Sequence, residues 1–85
     1  MKQIISLAAQ LGTILQAARK SAHLSQADLA QRLGMSQPRI SAMEINPGSI
    51  NVEQLLTLCS ALNLEITVQV RPRTGQGDEP TKLEW

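Results

Sequence analysis

The chain has 85 residues, enough for one domain, and a formal charge of +1. Its single cysteine, Cys59, and single histidine, His23, exclude a disulfide framework and a closed structural metal site. No apolar run approaches the ~20 residues of a membrane-spanning helix, and the start lacks the pattern of a signal peptide, so a cytoplasmic address is expected. With no covalent or metal staple, oligomerisation is the remaining common route to stability in so short a chain.

Charge is unevenly spread. Lys2, Arg19, Lys20, Arg32 and Arg39 face only Asp28 between Met1 and Met43, whereas Asp78, Glu79 and Glu84 outweigh Lys82 in the tail. A basic first half and an acidic tail point to two different partners.

In chain order, Leu7, Leu11, Ile14, Leu15, Ala18 and Ala22 recur at i, i+3/i+4 spacing and predict a helix over residues 6–22, weakened at Gly12. His23 marks its end. In HLSQADLAQRLG, Ser25 is placed to cap a second helix with Asp28 in a capping-box position, and Gly34 can stop it in a left-handed conformation. MSQPRISAMEI restarts the pattern: Ser36 is an N-cap, and Pro38 is tolerated in a first turn, where its missing N–H costs no intrahelical bond.

NPGS then breaks the chain, and Asn51 caps a fourth helix. Its apolar set of Val52, Leu55, Leu56, Leu58, Cys59 and Leu62 covers a wide face, with Cys59 expected as a core thiol and Asn63 as a left-handed terminator. LEITVQV changes the period to two: Leu64, Ile66, Val68 and Val70 alternate with Glu65, Thr67 and Gln69, the pattern of a half-buried strand. A lone strand leaves its backbone edges unpaired, and the simplest partner is the same strand of a second copy. The stretch after it, rich in Pro, Gly and charge, is expected to be a flexible tail. The expected organisation is a helical domain over residues 1–63, a dimerisation strand over 64–70 and a tail over 71–85.

Two short helices joined across Gly34, with small Ala30 in the first and branched Ile40 in the second, meet the needs of a helix-turn-helix. The second helix could then enter a major groove with Ser36, Gln37, Arg39 and Ser41 toward base edges. Gln can pair with adenine and Arg with guanine. Gln26, with the amides around it, is placed for a phosphate, and Arg19, Lys20 and Arg32 could neutralise more of the DNA backbone.

LSQADLAQRLGMSQPRISAME resembles the helix-turn-helix of phage-repressor-like (Cro/C1-type) domains, in which residue types agree at many fixed offsets. The resemblance implies a mainly α, lambda-repressor-like domain of four to five helices plus one C-terminal strand, which forms an intersubunit two-stranded sheet in a dimer. It also implies phosphate contact by Gln26 and base contact by Gln37, Arg39 and Ser41. Asn46–Pro47 after the recognition helix, the strand after the last helix and the ending LEW further resemble antitoxins of the HipB type.

Their partners are palindromic double-stranded operator DNA and a HipA-like serine/threonine kinase toxin. The resemblance then assigns Leu83, Glu84 and Trp85, which include the chain's only aromatic residue, to the toxin. Pro38 and Arg39 depart from the pattern and bear on the operator sequence. A stand-alone phage-type repressor without a toxin, and a pure interaction protein, are the alternatives. No cofactor is implied, and no nucleophile–base pair or phosphate-cradling loop points to an enzyme. Asp28, Glu44, Glu53 and Glu65 read as surface acids.

Overall fold

Each helix starts where a side chain can replace a missing intrahelical partner. The computed structural model, which describes residues 2–71, contains α1 (Ala8–Ser21), α2 (Gln26–Leu33), α3 (Gln37–Ile45), a short 3₁₀ turn (Pro47–Ser49) and α4 (Val52–Ala61). Ser25 and Asp28 close a reciprocal capping box on α2 with two 2.9 Å bonds. Asn51 and Gln54 do the same for α4 at 2.7 and 3.0 Å. The Ser36 hydroxyl accepts from Arg39 N at 3.2 Å at the start of α3, with Pro38 in the first turn. α1 starts two residues later than its periodicity predicts: Gln10 Oε1 accepts from the N–H groups of both Ser6 and Leu7, at 2.7 and 2.8 Å, and holds them outside the helix.

Three helices also stop in one way. His23, Gly34 and Asn63 take φ of +61°, +67° and +58°, the left-handed conformation that favours Gly and tolerates few other residues. The next residue in each case donates its N–H back across the last turn: Leu24 to Arg19, Met35 to Ala30 and Leu64 to Cys59, at 3.1, 2.9 and 2.7 Å. This 6→1 bond is the Schellman pattern, and its usual apolar contact is present, since Leu24, Met35 and Leu64 all pack against the core.

That core is aliphatic. Leu15 of α1, Leu29 and Ala30 of α2, Ile40 and Met43 of α3, and Leu58 and Leu62 at α4 form one buried cluster. Cys59 is buried beside it, and loss of hydration pushes its thiol pKa up. α3 packs on α1 and α2, and α4 on α2, giving the expected mainly helical helix-turn-helix fold. No helix among the described residues is long and apolar enough to cross a membrane.

The apolar faces are narrower than their sequence spacing predicts. Leu7 and Ala22 lie exposed at the two ends of α1. On α4, Val52 is 71% and Leu56 52% exposed, whereas Leu58, Cys59 and Leu62 are buried. Gly12 does not weaken α1 so much as admit a neighbour: it is buried, and a Cβ there would overlap the carbonyl oxygen of Glu44 and touch the Pro47 ring. Residues 64–70 enter no backbone ladder with the other described residues. Leu64 is tucked against the core, while Ile66, Val68 and Val70 are 45%, 79% and 67% exposed.

Candidate nucleic-acid interface

α2 and α3 form the most extensive helix pair of the fold, with Gly34 making the turn between them. Ile40 and Met43 seat α3 in the core, while Gln37, Pro38 and Ala42 in its first two turns stay exposed. The capped N-terminus of α3 therefore keeps Ser36, Gln37 and Pro38 accessible, as a helix must if it is to reach base edges.

Behind this surface lies a continuous polar chain. Arg19 of α1 donates from Nε and Nη2 to the two carboxylate oxygens of Glu44, at 2.6 and 3.2 Å, and from Nη1 to the Leu24 carbonyl at 2.8 Å. Both side chains of this ion pair are under 10% exposed. Glu44 Oε1 also accepts from Nε2 of Gln26 at 3.0 Å, and Gln26 Oε1 accepts from Nε2 of Gln37 at 2.5 Å. The hydrogen bonds run from a buried charge pair to the exposed first turn of α3. An arginine donates through five N–H groups in a fixed fork, so this buried guanidinium settles the position of Glu44 and, through it, of both glutamines.

Two sequence expectations are corrected here. Arg19 is not a cation on the outer surface for DNA phosphates: it is 7% exposed and its donors are directed at Glu44 and Leu24. Glu44, read as a surface acid, is its inward partner. The cause is shared: a charge can be buried when a well-aligned opposite charge and further hydrogen bonds accompany it. The spacing within α1 or α3 alone cannot reveal a partner 25 residues away.

The remaining candidates divide as follows. Gln26 and Gln37 touch, and Ser36 and Arg39 lie in the same turn as Gln37. Ser36 spends its oxygen on the cap. Arg39 is half-buried and donates to Gln54 of α4 at 3.2 Å, a contact that the reading of α3 by itself missed. Ser41 is half-buried one turn on, and Lys20 is exposed in the last turn of α1. Asp28 has its carboxyl pKa held below the usual range, first by the backbone N–H of Ser25, then by the Ser25 hydroxyl, with a smaller contribution from Arg32. Among the described residues no group of three His, Cys, Asp or Glu side chains converges as a metal site would require. Leu83, Glu84 and Trp85 lie outside the described residues.

Residues 15–69 match the family model described as Helix-turn-helix. No curated protein matches the chain. Among solved structures it is similar to HipB in a HipB–O1–O2 complex, at 26% identity and TM-score 0.72, over 80% of this chain and 99% of that one. It is equally similar, at 26% identity and TM-score 0.72, to a chain of a HipA–HipB–O2–O3 complex, covering 80% of this chain and 96% of that one. A complex of a HipB variant with an O2 20mer aligns at 28% identity and TM-score 0.73, over 81% of this chain and 96% of that chain.

Proposed function

The chain belongs to the helix-turn-helix family, and from that premise we propose that it is a dimeric antitoxin and autorepressor of the HipB type. It binds a palindromic operator and neutralises a HipA-like serine/threonine kinase. The observation that carries the DNA-binding reading is the chain of hydrogen bonds Arg19–Glu44–Gln26–Gln37, which fixes two amide side chains at the mouth of the exposed helix α3 before any ligand arrives. Side chains ordered in advance lose less freedom on binding. Gln37, Arg39 and Ser41 are assigned to base edges, and Ser36, Gln26 and Lys20 to phosphates and register.

Residues 1–63 act as the DNA-binding unit in this reading, and 64–70 as the dimerisation strand. The uncovered row of Ile66, Val68 and Val70 supports that strand, since apolar side chains gain stability when a second copy removes them from water. Residues 71–85 are assigned to the toxin, with Leu83, Glu84 and Trp85 as contacts. Support comes from the HipA–HipB–O2–O3 complex, which contains a chain of the same fold. A terminal Trp suits a pocket on a partner, where it is an enriched hot-spot residue.

Two measurements test the proposal. In gel shifts with the palindrome upstream of its own gene, Gln37→Ala combined with Arg39→Ala should bind more weakly, and Lys20→Ala, which removes one phosphate contact per subunit, should flatten the salt dependence by about two units of slope. Wild-type affinity in the double variant would sink the DNA reading. In co-purification with a HipA-like kinase, Trp85→Ala should lose about 2 kcal/mol or more of binding with DNA binding retained. Failure of the full chain to co-purify with the kinase would instead favour a repressor without a toxin, and unchanged co-purification on removing Leu83 to Trp85 would sink the assignment of those residues.

A further inference from the structure

Arg39 is held by the next helix. Its Nη2 donates to Gln54 Oε1 at 3.2 Å. The same oxygen accepts the backbone N–H of Asn51 at 3.0 Å, while Gln54 N donates to Asn51 Oδ1 at 2.7 Å. The Gln54 side chain cannot swing away without opening the capping box of α4. It is a fixed acceptor, and the guanidinium bound to it is restrained in turn.

An unrestrained arginine has four rotatable side-chain bonds to order when it meets a base, whereas a tether made in the free protein has already removed part of that freedom. One bond to Gln54 uses one of five N–H donors, leaving enough for the paired O6 and N7 acceptors of a guanine. We propose that Gln54 is a positioning residue for sequence readout, holding Arg39 in the orientation from which it reads a base edge. The inference rests on the DNA-binding reading above.

The test uses the full chain and a pool of randomised double-stranded DNA from which wild type selects its preferred duplex. The base pair read by Arg39 is the one at which Arg39→Ala loses discrimination. Gln54→Ala should lower discrimination at that pair by about threefold to tenfold and leave other positions unchanged. It should add nothing in the Arg39→Ala background. Gln54→Glu, which keeps the acceptor oxygen and the capping box, should restore discrimination. Asn51→Ala removes the other arm of the cap without removing the acceptor for Arg39, and should keep it.

The inference is overturned if Gln54→Ala discriminates like wild type, if it weakens every duplex equally, or if Asn51→Ala loses as much. It is also overturned if Arg39→Ala loses discrimination nowhere. Failure of wild type to select any duplex would bring down the DNA-binding reading itself, whereas selection by wild type with an unaltered Gln54→Ala profile sinks this inference alone.

Discussion

Glu44 Oε1 accepts from Gln26 at 3.0 Å while the same carboxylate is gripped by Arg19 at 2.6 Å, so a half-buried glutamine is oriented by a charge pair beneath it. Removing one partner of such a pair leaves the other charge buried alone, which costs about 3–5 kcal/mol. Arg19→Ala and Glu44→Ala should each lose stability on that scale in urea unfolding. Replacing both at once, with Arg19→Met and Glu44→Leu, should recover much of the loss, because the unpaired charge disappears with its partner. DNA binding should stay impaired in the double variant, since Gln26 no longer has its acceptor. Stability and binding would then separate, marking the pair as a support for the interface rather than for the fold alone.

Gly12→Ala should destabilise the domain even though Ala is the better helix former by roughly 1 kcal/mol. The added Cβ would meet the Glu44 carbonyl oxygen, a backbone atom unable to rotate aside, and force α1 away from α3 and Pro47. Overpacking of this kind costs about 1–3 kcal/mol. Gly48→Ala is the comparison, because a Cβ there meets nothing closer than Asn46 Oδ1 at 3.6 Å. Urea midpoints should fall for the first variant and change little for the second.

The Asp28 carboxyl has a pKa held below its unfolded value by the Ser25 N–H and hydroxyl. A depressed pKa means that the unfolded chain binds more protons at acid pH. The stabilisation is therefore present above the ordinary carboxylate pKa of about 4 and is lost as pH falls through the lower folded value. In an NMR titration, Ser25→Ala, which removes the hydroxyl and keeps the backbone N–H, should move the Asp28 midpoint part of the way up toward the ordinary range, and acid sensitivity traceable to this residue should shrink in proportion. An unmoved midpoint would exclude the hydroxyl as a cause and leave the backbone N–H.

The helices were legible because their signals are local. The 3.6-residue spacing of Leu11 and Leu15, the caps at Ser25, Ser36 and Asn51, and the left-handed stops at Gly34 and Asn63 all lie within a turn or two of what they control. Gly12 and Arg19 were not legible for the opposite reason. Each answers to Glu44, distant in sequence, and in isolation one resembles a helix defect and the other a surface cation. Val52 and Leu56 show the limit of periodicity: it identifies apolar positions on α4 but not which of them the single chain covers. At the interface, residue types in the first turn of α3 were readable, whereas the tether of Arg39 to Gln54 depends on how α4 returns beside α3.

Leu24, Met35 and Leu64 each follow a left-handed residue directly and each reach the core from that position. The turns they close are thus counted rather than merely spanned. One residue inserted at any of them would rotate the anchoring side chain away from its socket and shift the 6→1 bond. These turns should accept changes of residue type more readily than changes of length, so gaps and insertions among homologues should collect outside them.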